Sequence, residues 1–408
     1  MIRLCQKGLA ARHIQYEMKK ILQVNVTANW GSTGKIAEQI GLCAMARGWK
    51  SYVAYGRMMN PSKSELIKIG TTLDVYEHYA ENRLLDKEGL ASRRATKAFL
   101  KKINEIQPDV VHLHNIHDHY LNYQILFEYL NKTSVKVVWT FHDCWAFTGH
   151  CYHFVWQNCM KWQKECHDCV SRNRFVDRSS DNYRLKERLF AGCENLTIVP
   201  CSYWMGDFVR HSFLKDKPVQ VIHNGIDLNI FKPMRETAKN DGKFRIIAVS
   251  NVWLPYKGLN DIFKLRVMLP DDFEIVMVGL SERQMNTLTA GIRGILRTQN
   301  VQELVTLYNE ADVLVNPTYA DTFPTVNLEA LACGTPVITY RTGGSPEAID
   351  EKTGVVVEQG DVKALAEAIV RMKEHPLSSS DCRKRAERCF DKDRCFGEYV
   401  HLYERLLE

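Results

Sequence analysis

The sequence predicts an α/β protein made of two doubly wound parallel sheets, each covered by helices on both faces. Two observations carry this prediction. Short apolar segments rich in β-branched residues alternate with longer helical segments in the first half of the chain, which favours a parallel sheet with crossover helices. A polar stretch with proline and glycine then interrupts the pattern, and the same alternation starts again. The length of 408 residues leaves room for two or three domains.

The first half contains six strand-like segments. The first is followed by the turn NWGSTG and by a helical segment from Lys35 to Arg47, as a βαβ unit requires. The six segments are ILQVNV (21–26), SYVAYG (51–56), PDVVHLHN (108–115), KVVWTFHD (136–143), LTIVPCS (196–202) and VQVIHNG (219–225).

The second half repeats this pattern after the linker candidate FKPMRETAKNDGK (231–243). Parallel sheets of this class bind ligands at the carboxyl ends of their strands, so two facing sheets would form an interdomain cleft. The strand-like segments are FRIIAVSN (244–251), FEIVMVG (273–279), DVLVNP (312–317) and TPVITY (335–340).

The domain boundaries follow from these patterns. Met18 followed by KKILQVNV is a more natural start than Met1, because the first strand-like segment begins only at Ile21. The predicted units are a tail or start-site extension at 1–17, an N-terminal sheet domain at 18–225 with a cysteine-rich insert at 144–170, a linker at 226–242, a C-terminal sheet domain at 243–385 and a last helix at 386–408 that packs back on the N-terminal domain.

Composition excludes some classes and leaves others open. The net charge of +6 fits an anionic partner but does not separate nucleic acid, phosphorylated metabolite and lipid headgroup. No apolar run approaches the roughly 18 residues of a membrane-spanning helix, and the N-terminus lacks the apolar stretch of a secretory signal. The 13 cysteines, an odd number, favour reduced thiols in a cytosol over a disulfide framework.

The segment DTFPTVNLEALACGTPVITYRTGGSPE (321–347) carries the strongest chemical signal. Pro324 suits the start of a helix, so Asp321 precedes that helix and Glu329 lies inside it. The N–H groups at a helix start bind anions such as phosphate, and TGGSPE predicts a second helix start nearby. Carboxylates repel phosphate but accept hydrogen bonds from hydroxyls, so the pattern describes a nucleotide-sugar site. Taken alone, two acidic residues at this spacing also fit a solvated surface.

This segment resembles the donor-site signature of the family 4 retaining glycosyltransferases, the glycogen-synthase-like group with the GT-B architecture. That family carries E-x7-E, then A-x-G-x-P-V, a GG turn and a further Glu. The resemblance continues, in the family's order, over about residues 18–408. The other matching segments are GSTGK (31–35), TFHD (140–143), VIHNGIDLNIFKP (221–233) and YKG (256–258).

The resemblance implies a role for each matching residue. Glu329 would accept hydrogen bonds from the ribose, Asp321 would face hydroxyls of the donor sugar, and Lys257 would neutralise the diphosphate. The implied catalytic residues are Asp321, Lys257 and His142, the last near the transferred sugar. The implied donor-binding residues are Glu329, Gly31, Gly34, Phe323, Pro324, Thr325 and Asn251, and the candidates for the acceptor side are His114 and Asp143.

Two positions depart from the family pattern. Asp321 stands where the family has Glu, so its reach is about one methylene shorter. Asn251 stands where the family often has Arg, six residues before the lysine. Charge neutralisation of the diphosphate would therefore rest more heavily on Lys257 and the helix ends.

The implied activity is retaining transfer of a hexose from a UDP- or GDP-sugar to a hydroxyl of a growing, lipid-linked glycan in polysaccharide biosynthesis. No enzymic nucleophile is evident and no cofactor is required: positioning and electrostatic stabilisation of the leaving diphosphate would drive the reaction. Two alternatives remain at this stage, a nucleotide-sugar epimerase of the same architecture and a non-catalytic nucleotide or nucleic-acid binder. The spread of the basic residues argues against a nucleic-acid partner.

The insert contains Cys151, Cys159, Cys166 and Cys169 in the spacing C-x7-C-x6-C-x2-C. Four thiolates can hold a structural zinc ion, and a set of reduced thiols is the equally weighted alternative. A similar cysteine-rich insert occurs in members of the family that assemble bacterial capsular and exopolysaccharides.

The basic segment ASRRATKAFLKKI (91–103) predicts a partly amphipathic helix without acidic residues. A solvated face is the simpler interpretation, and contact with an anionic membrane surface is the alternative. The expected location is the cytoplasm, with peripheral contact to the inner face of the cytoplasmic membrane as the alternative.

Overall fold

The structure, a computed structural model, describes residues 18–170, 175–234 and 242–408. It contains two six-stranded parallel sheets, so the predicted α/β class with two doubly wound sheets is confirmed. Residues 1–17, for which a tail was expected, and most of the linker candidate lie outside the described residues.

The first sheet has the strand order β3-β2-β1-β4-β5-β6. This order reverses direction between β1 and β4, and the carboxyl ends of these two strands mark the ligand crevice of a doubly wound sheet. The strands are β1 (Lys20–Asn25), β2 (Lys50–Tyr55), β3 (Glu65–Lys68), β4 (Val110–Leu113), β5 (Lys136–Phe141) and β6 (Leu196–Pro200).

The second sheet repeats that topology, with the order β12-β11-β10-β7-β8-β9 and the reversal between β7 and β10. Its strands are near-continuous apolar runs because helices cover both faces. The strands are β7 (Phe244–Val249), β8 (Phe273–Val278), β9 (Ile292–Ile295), β10 (Val313–Asn316), β11 (Val337–Tyr340) and β12 (Gly354–Val357).

Helices connect the strands of both sheets. Those of the first half are α1 (Gly31–Ala46), α2 (Thr72–Leu85), α3 (Arg93–Ile106), α4 (Tyr123–Leu130), α5 (Ser179–Lys186) and α6 (Tyr203–Arg210). Those of the second half are α7 (Leu259–Met268), α8 (Glu282–Met285), α9 (Val301–Glu310), α10 (Thr325–Ala332), α11 (Val362–Glu374), α12 (Ser379–Phe390) and α13 (Lys392–Leu407).

The last two helices join the halves of the molecule. Helix α12 packs against α10 of the second half, and α13 packs against α1 of the first. The buried side chains of Phe396, Tyr399 and Tyr403 fill the space between α13 and the first sheet. The Tyr403 hydroxyl lies 2.7 Å from Nδ1 of His112 on β4.

Some predicted elements differ from the structure. VQVIHNG is not a strand: it runs beside β6 and is joined to it by one isolated bridge, between Ile198 and Val219. The sequence reading missed β3, β9 and β12, each of which has only four residues. In the described residues, no helix is long and apolar enough to cross a membrane.

Candidate donor-binding and catalytic site

The loop between β10 and α10 forms the centre of the site. Pro324 occupies the N-cap position of α10 in an extended conformation and has no side chain that could cap the helix. The first N–H groups of α10 therefore face the loop that carries Asp321, as an anion-binding helix start requires.

Two glycines allow the next loop to pack directly against this one. A Cβ atom on Gly343 would lie 1.7 Å from the carbonyl oxygen of Asp321, and a Cβ atom on Gly344 would lie 2.4 Å from that of Thr322. The residues after these glycines, Ser345–Ala348, form one 3-10 turn. A second helix therefore does begin after the glycines, with Pro346 at its start, but it is a single 3-10 turn.

Lys257 and Asp321 meet in this region. The Lys257 Nζ atom lies 2.7 Å from Asp321 Oδ2 and 3.3 Å from the carbonyl oxygen of Ala320. Gly258 makes the approach feasible, because it has a φ of +80° and its Cβ would lie 2.1 Å from the Pro317 carbonyl oxygen. The two charged side chains are each about a quarter exposed, at 25% and 22%, so a ligand in the cleft can reach them.

Glu329 lies one turn inside α10 and is partly buried. The Tyr308 hydroxyl donates a hydrogen bond to Glu329 Oε2 over 2.8 Å. Burial raises the pKa of the Glu329 carboxyl, while hydrogen bonds from Tyr308 and Thr325 and the charge of Lys35 act in the opposite direction. Since Lys35 belongs to α1, the start of α1 in the first half lies near α10 of the second half.

The glycine loop itself follows β1 at the carboxyl edge of the first sheet. Gly31 is the first residue of α1, has a φ of +66° and faces open space. Gly34 allows close packing, because a Cβ there would lie 2.7 Å from Thr27 Oγ1. The two glycines therefore have different roles. Gly31 leaves space beside the start of α1, and Gly34 allows α1 to pack closely against the chain that follows β1.

Direct contacts join the loops of the two sheets. The Thr322 hydroxyl donates to the carbonyl oxygen of His142 over 2.8 Å. The ring of His223 lies 4.7 Å from the ring of Phe323, centroid to centroid. The Asp321 loop of the second half therefore contacts the residues that follow β5 of the first half, which include His142.

Glu347 makes a further connection that the sequence reading did not assign. Its carboxylate accepts hydrogen bonds from the backbone N–H groups of Tyr203 (2.9 Å) and Trp204 (2.8 Å) at the start of α6. It also lies 2.8 Å from His223 Nε2. The Glu after the GG turn was visible in the sequence, but nothing there indicated that its partner is a helix start of the other half.

Two family models match the chain. The model described as Glycosyltransferase Family 4 matches residues 37–230, and the model described as Glycosyl transferases group 1 matches residues 243–375. The chain belongs to the family 4 glycosyltransferases.

Similar proteins agree with this assignment. The putative colanic acid biosynthesis glycosyl transferase WcaC of Escherichia coli K12 is 24% identical over 95% of this chain and 100% of its own. Sucrose-phosphate synthase from Thermosynechococcus elongatus has a TM-score of 0.72 at 18% identity, over 95% of this chain and 99% of its own. Anabaena HepE in complex with UDP-glucose has a TM-score of 0.64 at 14% identity, over 95% and 99%.

The expected GT-B fold is thereby confirmed, and the chain is a glycosyltransferase of a family that acts with retention. The epimerase and the non-catalytic binder are set aside.

Two histidines of the glycosyltransferase, His114 and His142, lie at the carboxyl end of the first sheet. His114 Nδ1 lies 3.1 Å from His142 Nε2, and His114 Nε2 lies 3.1 Å from Gln23 Oε1. Burial lowers the pKa of His142 to about 4, while the charge of Asp143 acts in the opposite direction. His112 is a buried core residue that contacts Thr140 and Tyr403 of α13.

Asp143 pairs with a histidine that was not predicted for the site. Its Oδ2 lies 2.9 Å from His117 Nε2, and its Oδ1 accepts from the Trp145 N–H over 2.8 Å. Burial alone would raise the pKa of Asp143, but the charge and hydrogen bond of His117 hold it at about 2. The carboxylate is therefore ionised at neutral pH and fixed beside His142.

The cysteine-rich insert reaches across the cleft. The rings of His153 and Trp156 lie 6.3 Å and 6.2 Å from the ring of Tyr256, which precedes Lys257. His153 is near enough to Asp321 and Lys257 for their charges to act on its pKa. Neither His153 nor Tyr256 was predicted, because their proximity depends on how the two halves dock.

The remaining predicted residues occupy separate places. Asn251 is exposed in the loop after β7. Cys151 and Cys169 have their sulfur atoms 3.8 Å apart, and a potential metal cluster contains these two with His150. Cys159 and Cys166 lie close enough to act on the pKa of Cys151 but are outside that cluster.

Proposed function

We propose that this glycosyltransferase transfers a hexose from a nucleotide diphosphate sugar to a hydroxyl of a lipid-linked glycan during exopolysaccharide synthesis. One observation carries the proposal: the Lys257–Asp321 pair lies just before the start of α10, and Glu329 inside α10 is near enough to Lys35 of α1 for the lysine charge to act on its pKa. A cation and a helix start suit a diphosphate. A nearby carboxylate suits the hydroxyls of a sugar.

The donor is bound through its diphosphate, its ribose and its hexose. The Lys257 ammonium and the N–H groups at Thr325 bind the diphosphate, and the Gly31 loop approaches it from the first sheet. Glu329, oriented by Tyr308, accepts hydrogen bonds from the ribose. As the phosphate draws Lys257 away, Asp321 becomes available to a hydroxyl of the hexose.

The chemical step then needs no enzymic nucleophile. The bond between the anomeric carbon and the phosphate oxygen breaks, and its electron pair leaves with the diphosphate. The acceptor hydroxyl attacks from the same face, and its proton passes to the departing phosphate oxygen. Lys257 and the α10 start stabilise the charge that develops on that oxygen, while neutral His142 and the ionised Asp143 border the sugar and acceptor side.

The polysaccharide assignment is supported by the full-length similarity to a colanic acid glycosyl transferase. UDP is the first nucleotide to test, because the structurally similar HepE was solved with UDP-glucose. Neither likeness identifies the hexose or the acceptor.

A membrane-facing surface fits a lipid-linked acceptor. Helix α2 has its apolar side chains outward, with Leu73 and Tyr76 exposed by 73% and 68%, and buries the polar His78 and Asn82. Next to it, α3 buries Phe99 and exposes a basic face that includes Lys97. An apolar helix face beside a basic one is typical of proteins that rest on anionic lipid, which supports a docking surface for the inner face of the cytoplasmic membrane.

The test is a donor panel of UDP- and GDP-hexoses, with release of free nucleoside diphosphate measured in the absence of acceptor. We expect slow hydrolysis of one donor and faster turnover when lipid-linked glycan is added. Folded protein that hydrolyses no donor and extends no acceptor would contradict the proposal.

The membrane component has its own assay, flotation with anionic phosphatidylglycerol vesicles. We expect Leu73→Ser with Tyr76→Ser to abolish flotation, and Leu296→Ser, an exposed leucine of the second half, to leave it unchanged. Equal flotation of both variants would show that α2 is not the docking surface.

A further inference from the structure

Three potential metal ligands converge in the cysteine-rich insert. His150 Nε2, Cys151 Sγ and Cys169 Sγ all lie within 4.8 Å of one another. The two sulfur atoms are 3.8 Å apart, and His150 Nε2 is 3.0 Å from Cys169 Sγ. Cys151 and Cys169 do not form a disulfide, so the short sulfur–sulfur distance has another origin.

We propose that His150, Cys151 and Cys169 bind a structural zinc ion together with Cys166. Tetrahedral zinc with Zn–S bonds of about 2.3 Å separates two sulfur ligands by roughly 3.8 Å, which is the observed separation. The same geometry separates nitrogen and sulfur ligands by roughly 3.5 Å, so His150 needs to move by about half an ångström. His150, Cys151 and Cys169 are therefore close to the geometry that zinc requires, and Cys166 would complete the set.

An outer carboxylate orients the histidine. His150 Nδ1 lies 3.1 Å from Asp86 Oδ2, and both side chains are buried. That oxygen also accepts the Arg178 N–H over 2.8 Å. A carboxylate on Nδ1 keeps the proton there and directs the Nε2 lone pair to the metal, as in carboxylate–histidine–zinc arrangements.

Cys166 is the proposed fourth ligand because it lies beside the residue that precedes His150 and is paired with Cys169 in the chain. The Gly149 N–H donates to Cys166 Sγ over 3.2 Å, next to the ligand His150 in the chain. Cys166 and Cys169 form the C-x2-C pair of the insert, a spacing that recurs in zinc sites. This set replaces Cys159 of the sequence-derived set with His150, a residue whose role depends on Asp86, 64 positions away in the chain.

The ion would fasten both ends of the insert to the first domain. Asp86 follows α2, and the carboxylate of Asp177, just before α5, accepts the Cys169 N–H over 2.7 Å. Between these points the insert presents His153 and Trp156 to Tyr256. Insofar as the proposed function holds, the zinc ion supports the wall of the cleft that faces Lys257.

The experiment measures metal directly. We expect one zinc per purified chain, and we expect the chain refilled with Co²⁺ after chelation to show intense tetrahedral d–d and thiolate charge-transfer absorption. Cys169→Ser and His150→Ala should each lower the zinc affinity by at least 10-fold, whereas Cys389→Ala, a partly buried cysteine outside the insert, should leave it unchanged.

A further variant keeps the test decisive if ligand variants fold poorly. Asp86→Asn retains all four ligands and should weaken zinc binding by about 10–100-fold. Chelation should also speed proteolysis within the insert, a readout independent of glycosyl transfer. Absence of zinc and cobalt binding in folded protein, or a Cys151–Cys169 disulfide found by mass spectrometry, would overturn the proposal even if the donor assay succeeds.

Discussion

Replacing Lys257 with alanine should separate catalysis from folding. The Lys257 ammonium is 2.7 Å from Asp321 in a pair that is about a quarter exposed. Such pairs contribute about 1 kcal/mol or less to stability, which in a protein of 408 residues corresponds to a melting-temperature change of roughly 1 °C or less. Lys257→Ala should therefore fold normally.

The effect on turnover should be much larger. Lys257 and the start of α10 are the groups we assign to the leaving diphosphate, and removing one preorganised partner of a developing oxyanion lowers kcat by about 10²–10³. That factor corresponds to about 3–4 kcal/mol in the activation free energy. Asn251 stands where a second cation is often found, so no neighbouring arginine at that position compensates.

The assay is initial-rate kinetics with the donor found in the panel, alongside thermal unfolding. The matched control is Lys264→Ala, which removes an exposed lysine of the neighbouring α7 that pairs with Asp261 at 3.3 Å. We expect the control to keep its turnover. If Lys257→Ala retained turnover within about threefold of the parent, the assignment of the diphosphate to Lys257 would be refuted.

Three further predictions concern other parts of the cleft. Glu329→Gln should raise the KM for the donor by about tenfold with little change in kcat, because a ribose contact acts equally in ground and transition states; steady-state kinetics check this, and an unchanged KM would exclude the ribose role. Glu347→Ala should lower the free energy of unfolding by about 1–2 kcal/mol, because the α6 N–H groups lose their acceptor; urea unfolding against the exposed control Glu351→Ala tests it, and equal midpoints would contradict it. The pKa of His142 is about 4 in the folded state and 6.5 in the unfolded chain, so the unfolded chain binds a proton that the folded chain does not. Lowering the pH from 7 to 5 should therefore reduce the free energy of unfolding by about 2 kcal/mol through this histidine. His142→Gln should lose that part of the pH dependence, and identical pH profiles of the variant and the parent would show that His142 is not buried as a neutral ring.

The sequence predicted those parts of the molecule that local patterns determine. Apolar strand segments, the helix start at Pro324 and the paired glycines Gly343 and Gly344 each have a local physical reason, and the structure shows the elements they predict. Four-residue strands such as β9 were missed because so few residues carry no detectable periodicity.

The residues that sequence reasoning missed depend on docking between distant segments. Glu347 reaches α6 from 143 positions away, and His150 depends on Asp86. Tyr308 orients Glu329 from a different helix. No spacing rule along the chain relates such pairs, because the contact exists only once two sheets and an insert have packed together.

Calorimetric titration of the protein with UDP and with GDP tests the central claim most directly, namely that a nucleoside diphosphate binds between Lys257, the start of α10 and the Gly31 loop. We expect one of the two to bind with 1:1 stoichiometry and to lose at least tenfold in affinity in Lys257→Ala. Folded protein that binds neither nucleotide, or that binds one equally well in Lys257→Ala and Glu329→Gln, would contradict the account.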